Sequence, residues 1–200
     1  MKTFEVLKAV TFSFDDGVTQ DIRLIEILNK YGLKATFNLN SSYLGMEGEL
    51  DRNGHIVRHD KNPVNKIAEI YKGHEVAAHT LTHPNLTYVK DDSAVEWQVE
   101  QDRKTLSSIF GYDVQCMAYP CGGINCDDRV EKIIRNKTGI RFARTVNSSY
   151  SFDVPENLLK YETGGFDTPL RGTQPPVIIW NQKKTVVECF AKRSVSKPPV

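Results

Sequence analysis

The sequence has no apolar run that approaches the roughly 20 residues needed to span a bilayer. It also has almost no net charge, because 26 lysines and arginines oppose 25 aspartates and glutamates for a formal charge of +1. There is no basic surplus for nucleic acid and no acidic surplus for basic partners. Residues 1–14 lack the apolar core and small-residue cleavage site of a secretory signal. The chain as written is therefore expected to be cytoplasmic, without a membrane span or a nucleic-acid partner.

Cysteine is also scarce, with four residues in a chain of 200. A disulfide framework is not expected in a chain of this size with so few cysteines, and their spacing matches no common zinc or redox pattern. We therefore expect free thiols. The remaining composition, 40% hydrophobic and 26% charged residues, is typical of one well-packed soluble domain. The four cysteines are Cys116, Cys121, Cys126 and Cys189.

Short apolar runs alternate along the chain with segments whose apolar residues have helical spacing. This alternation predicts an α/β protein with a parallel sheet or barrel. Thr19 is expected to cap the first helix, and residues 45–60 are expected to form a loop. The strands are predicted at 10–14, 33–39, 75–78, 114–118 and 140–144, and the helices at 21–30, 62–73, 93–110 and 127–137.

The alternation weakens after Asn147, where only residues 177–180 resemble a strand. The last residues mix charge with a Pro-Pro segment. We therefore expect residues 1–180 to form one domain and residues 181–200 to form a loosely ordered tail.

Two adjacent carboxylates, Asp15 and Asp16, follow the first predicted strand and precede Gly17. Asp-Gly is a common turn pair, so this segment in isolation is most simply a tight turn. A functional interpretation is open as well. Sites in α/β folds lie beyond the carboxyl ends of the strands, and both aspartates are placed there.

Two histidines, His79 and His83, follow the predicted strand 75–78 and are four residues apart. They could be surface residues, but three of the five histidines fall within the ten residues 74–83. Two neutral imidazoles and one carboxylate are a common ligand set for a catalytic divalent metal with open positions. A second carboxylate would then be free to act as general base in amide or ester hydrolysis.

Both clusters resemble motifs of one family. Ser-Phe-Asp-Asp-Gly at 13–17 resembles the first motif of the polysaccharide deacetylases, carbohydrate esterase family 4. Gly-His-Glu-Val-Ala-Ala-His-Thr-Leu-Thr-His-Pro at 73–84 resembles the second motif over its whole length. The resemblance implies an α/β fold, an incomplete, distorted (β/α) barrel of about seven strands. It further implies that residues 1–180 form a deacetylase-like catalytic domain, which would remove N-acetyl or O-acetyl groups from an acetylated sugar or oligosaccharide.

The same resemblance implies roles for individual residues. Asp15 would be the catalytic base, and Asp16, His79 and His83 would bind a divalent metal. The metal is usually zinc in this family, with cobalt, nickel or manganese as alternatives.

A third motif is less complete. Residues 117–122 resemble an Arg-x-Pro-x-Gly motif, in which Pro120 and Cys121 would line the substrate site and the Cys121 N–H would stabilise the oxyanion. The arginine that usually orients the base would fall at Ala118. The family also has a late Leu-x-His motif that supplies a general acid, yet no histidine follows His83.

These departures leave alternatives open. A metal-dependent amidohydrolase acting on a small non-sugar amide would use the same groups. A metal-binding or carbohydrate-binding homologue that has lost its general acid would explain the missing histidine, although such a protein has no need of Asp15.

Overall fold

The computed structural model describes residues 12–149 and 155–163, and its centre is a sheet of six parallel strands in the order β1-β2-β5-β6-β7-β8. A separate antiparallel hairpin, β3-β4, lies outside this sheet. The strands are β1 (Ser13–Asp15), β2 (Thr36–Leu39), β3 (Glu49–Arg52), β4 (His55–Arg58), β5 (Glu75–Ala78), β6 (Cys116–Ala118), β7 (Phe142–Ser148) and β8 (Tyr161–Thr163).

Helices connect the parallel strands, and their ends follow from local side chains. Asp91 precedes the longest helix and accepts a hydrogen bond from the Ser93 N–H, and Gly111 ends that helix with φ 71°. Asp127 accepts one from the Val130 N–H at the start of the last helix. No helix in the described part of the chain is long and apolar enough to cross a membrane. The helices are α1 (Asp21–Lys30), α2 (Val64–Ile70), α3 (Asp92–Phe110) and α4 (Asp128–Lys137).

The register of the sheet brings the carboxyl ends of its strands to one edge. Asp15 pairs with Asn38, and Leu39 at the end of β2 pairs with Ala78 at the end of β5. Residues that follow these strands therefore meet in space although they are distant in the sequence. The core beneath this edge packs strand residues against helix residues, and it includes Phe37, Leu39, Ile67, Val76, Val95, Val99, Leu106, Met117, Ile134 and Ile140.

The predicted fold class is confirmed, and several elements have the predicted bounds. The first helix and the strand 75–78 begin and end where the sequence pattern places them. The predicted cap is wrong: the residue that precedes α1 is Gln20, and no side chain makes a capping hydrogen bond there. Residues 177–180 and the expected tail lie outside the described residues.

The expected loop at 45–60 is also wrong, because it contains the hairpin β3-β4. Asn53 and Gly54 have φ of 56° and 82°, the left-handed conformation of the tight turns that suit a two-residue hairpin. The Asn-Gly pair is the sequence signal for this turn. Charged residues flank it, so the alternating apolar pattern that usually accompanies the signal is weak. The short strand β8, which follows Lys160, has no counterpart among the predicted elements.

Candidate active site

Asp16, His79 and His83 come together at the carboxyl edge of the sheet. One ligand atom from each residue lies within 4.8 Å of the other two. His83 Nε2 is 3.6 Å from Asp16 Oδ1, and the centroids of the two imidazole rings are 4.8 Å apart. Asp16 follows β1, and both histidines follow β5, so adjacent loops of the sheet build the cluster.

The backbone at this edge is held in an unfavourable conformation. Four of the five non-glycine residues with positive φ in the described ranges lie here. Such conformations persist only where the surroundings enforce them, and they cluster at functional sites. The fifth is Asn53 in the hairpin turn. The four are Asp16 (81°), Thr80 (66°), His83 (55°) and Cys121 (67°).

The orientation and tautomer of His79 are set by its neighbours. Its Nδ1 lies 2.8 Å from the carbonyl oxygen of Ala118, which can only accept a hydrogen bond, so Nδ1 carries the proton. Burial lowers the pKa of His79 and favours the neutral ring, which is only 2% exposed. The Nε2 lone pair is then available to a metal, as second-shell carbonyls commonly arrange for metal-binding histidines.

A buried carboxylate supports the same loop from behind. Asp102 on α3 accepts hydrogen bonds from the His79 N–H at 3.0 Å and from the Ser41 N–H at 2.7 Å. Burial raises the pKa of Asp102 to about 6. Through these two hydrogen bonds, Asp102 links the main chain after β2 to the main chain after β5.

Asp15 lies beside the cluster and is bound on one oxygen. Asn38 donates to Oδ1 at 2.8 Å, and the Arg144 guanidinium forms an ion pair with the same atom. Burial alone would raise the pKa of Asp15. The charge of the Arg144 guanidinium and the hydrogen bonds from Arg144 and Asn38 oppose that effect, and the pKa of Asp15 lies below its ordinary value. Asp15 is therefore a carboxylate at neutral pH and can accept a proton.

The residues that follow β4 place two basic side chains beside Asp16. His59 Nε2 lies 3.4 Å from Asp16 Oδ2, and Lys61 Nζ lies 3.7 Å from Oδ1. The main chain fixes this segment, since Thr19 donates to the Asp60 carbonyl at 2.8 Å. Sequence reasoning missed both basic residues, because a segment interpreted as loop gave no reason to place them at the site.

Cys121 and Pro120 follow β6 at the border of the same edge. Cys121 Sγ lies 3.8 Å from His83 Nδ1 and 3.6 Å from the His83 carbonyl oxygen. Asn125 donates to the Cys121 carbonyl at 2.9 Å and so fixes the turn. The roles of Pro120 and Cys121 toward an oxyanion remain predictions. No disulfide joins the cysteines of the described part.

The fold and the cluster define a class: α/β proteins with a partial parallel barrel and a carboxylate–bis-imidazole group at its strand ends. Residues 6–143 match the family model described as polysaccharide deacetylase, and the chain belongs to that family.

Individual relatives agree with this membership. The chain is 27% identical over 121 residues to the peptidoglycan-N-acetylglucosamine deacetylase PgdA of Listeria monocytogenes. That match covers 59% of this chain and 22% of the relative, so most of the relative has no counterpart in the aligned region.

Two solved structures share the fold. The Streptococcus pyogenes deacetylase PplD, solved with acetate, superposes with a TM-score of 0.58 at 20% identity and covers 76% of this chain and 61% of that one. The BpsB deacetylase domain from Bordetella bronchiseptica superposes with 0.62 at 12% identity and covers 76% and 69%. Likeness at this level of identity concerns the fold alone.

Proposed function

We propose that this chain is the catalytic domain of a metal-dependent deacetylase that removes N-acetyl or O-acetyl groups from an acetylated sugar or polysaccharide. One observation carries the proposal: three donor atoms of Asp16, His79 and His83 converge within 4.8 Å beside the ionised Asp15. Membership of the family supports the substrate class, and the name of the Listeria relative extends it to peptidoglycan sugars.

The donor set fits a divalent metal with open coordination positions, and zinc is the ion that we propose, with cobalt, nickel or manganese as substitutes. Such an ion polarises a carbonyl oxygen and lowers the pKa of water when it is bound. Asp16, His79 and His83 would hold it. His79 suits this task because its proton is committed to the Ala118 carbonyl.

The remaining steps fall to residues of the chain itself. Asp15 would take the proton from the attacking water, since its carboxylate is ionised and next to the donor cluster. The main-chain N–H of Cys121 would donate to the developing oxyanion, as the resemblance of residues 117–122 to the third motif implies.

Asp15→Asn tests the proposal. We expect the purified chain with added zinc or cobalt to release acetate from N-acetylglucosamine oligomers. The variant should bind metal as tightly as the wild type. Its rate should fall about 10²–10⁴-fold, which is the usual contribution of a general base. Asn can still accept hydrogen bonds on Oδ1, so the fold should tolerate it.

Asp51→Asn is a matched control, because this exposed aspartate of the hairpin lies in another element. It should leave acetate release unchanged. Equal rates in the wild type and Asp15→Asn would overturn the assignment of the base.

A second candidate is a homologue that binds metal or carbohydrate without turnover. The observation in its favour is that no histidine follows His83, so the family's late general acid has no counterpart in the sequence. Stoichiometric metal binding without hydrolysis of acetylated sugars or small amides would favour it. Hydrolysis of small amides alone would favour an amidohydrolase of another substrate class.

A further inference from the structure

The base Asp15 lacks the partner that the third motif would give it. The arginine of that motif falls at Ala118, whose side chain is fully buried and ends at Cβ. A methyl group can neither donate to a carboxylate nor balance its charge. Asp15 is half-buried, and a carboxylate in such a place without a cationic or hydrogen-bonding partner would be poorly oriented.

Arg144 supplies that partner from the neighbouring strand. Its guanidinium pairs with Asp15 Oδ1 through one terminal nitrogen, and its Nε donates to Ser13 Oγ at 3.2 Å. The other terminal nitrogen lies 3.3 Å from the Thr145 carbonyl oxygen, and the residue is only 8% exposed. All three nitrogens of the fork are therefore engaged, so the guanidinium is held in one orientation.

The sheet register explains how an arginine at position 144 can take the place of one at position 118. Ala118 on β6 and Arg144 on β7 are direct partners in adjacent parallel strands. Partners in register project from the same face of a sheet, and neighbouring strands are about 4.8 Å apart. A side chain as long as arginine can span that extra strand and reach the same carboxylate.

We propose that Arg144 is the positioning residue of the base, in the role that an arginine at position 118 would have. The inference rests on the proposed function of Asp15. Both donors to Asp15, Asn38 and Arg144, bind Oδ1. Among the described residues none donates a hydrogen bond to Oδ2. Arg144 and Asn38 therefore hold one oxygen of the carboxylate and leave the other to accept the proton.

Arg144→Ala and Arg144→Lys test the role in kcat, KM and metal affinity. We expect Arg144→Ala to lower kcat for N-acetylglucosamine oligomers about 10–100-fold, less than loss of the base itself. KM and zinc affinity should stay within about twofold, because Arg144 touches none of the three proposed ligands and only the base loses its orientation. Arg144→Lys keeps the charge without the fork and should lose part of the rate. Arg141→Ala is the matched control, an exposed arginine that precedes β7 and bonds only to main-chain carbonyls.

Two double variants distinguish a positioning role of Arg144 from a role in stability alone. In Asp15→Asn the change Arg144→Ala should have no further effect on the residual rate, because the base that Arg144 orients has already been removed. The double variant Ala118→Arg/Arg144→Ala should recover part of the lost kcat, since it returns an arginine to the motif position in the space that Arg144 vacates. Independent, multiplicative losses for Asp15 and Arg144, or full activity in Arg144→Ala, would overturn the inference.

A readout without turnover keeps the two proposals distinguishable. The unfolding free energies of the wild type, Asp15→Asn, Arg144→Ala and the double variant should be non-additive, because the two residues form one ion pair. Additive effects would overturn the positioning role even in an active protein. Loss of acetate release in Asp15→Asn but not in Arg144→Ala would overturn it too, while Asp15 remained the base. Unchanged release in Asp15→Asn would instead refute the proposed function.

Discussion

The Lys61 ammonium lies 3.7 Å from Asp16 Oδ1, so a cation of the protein sits beside a proposed metal ligand. The side chain is 9% exposed, which limits screening by water. Two unit positive charges about 4 Å apart repel by about 4 kcal/mol at an effective dielectric constant of 20, and a divalent ion repels a unit charge about twice as strongly at the same distance. Any metal held by Asp16 must therefore bind against this charge.

Lys61→Met should strengthen zinc binding. We expect at least about a tenfold lower Kd, which corresponds to about 1.4 kcal/mol, because only part of the repulsion is recovered. Competition with a chromophoric chelator measures the change. Lys66→Met, at an exposed position on α2, controls for overall charge and should leave Kd unchanged. Weaker binding in Lys61→Met would mean that the ammonium supports the site instead of opposing the metal.

His79→Ala should abolish stoichiometric metal binding. The imidazole is one of only three donors in the cluster, and loss of an outer partner alone typically costs about 10–100-fold in affinity. We expect a larger loss here, measured by elemental analysis after dialysis against zinc. His55→Ala, on the exposed hairpin strand, should retain the full metal content. One equivalent of zinc retained in His79→Ala would refute the proposed ligand set.

Gly17→Ala should destabilise the protein more than Gly32→Ala. Both glycines have similar positive φ, 64° and 66°, so the conformational penalty of about 1–2 kcal/mol is shared. Only at Gly17 would the new Cβ lie 2.8 Å from Leu39 Cδ2, whereas nothing lies within 4 Å at Gly32. Overpacking should add about 1–3 kcal/mol, measured by urea unfolding. Equal losses would show that the core yields at Leu39 without cost.

Asp21 should make the stability depend on pH. Burial raises its pKa from 3.8 to about 6, although the Tyr71 hydroxyl donates to Oδ2 at 2.7 Å and opposes the shift. The folded state therefore keeps this proton at pH values where the unfolded chain has lost it. The contribution is full below pH 4 and is lost as pH rises through about 6, by up to about 3 kcal/mol.

Asp21→Asn should remove this contribution. The difference in unfolding free energy between wild type and variant should shift in favour of the variant between pH 4 and 7, as measured by urea unfolding at several pH values. Glu69→Gln, at an exposed position of α2, should show no such trend. A difference that is constant with pH would contradict the raised pKa.

The sequence alone predicted the elements and site residues that depend on neighbouring positions in the chain. Helix α1 and strand β5 have the predicted bounds because their apolar spacing and terminal residues act within a few positions. The convergence of Asp16, His79 and His83 was predictable for a related reason: residues that follow adjacent parallel strands meet at one edge of the sheet. Their motifs also lie close to those strand ends.

The tertiary structure alone decided which residues serve these groups. Arg144 reaches Asp15 across 129 residues of sequence, and that contact depends on the register of β6 and β7. Lys61 reaches Asp16 because the segment after the hairpin pairs with the loop after β1, where Val18 and Lys61 form a β-bridge. No local pattern encodes either contact, since each arises from packing between segments that are far apart in the chain. Position in the sequence therefore determined the reactive groups, and long-range packing determined their partners.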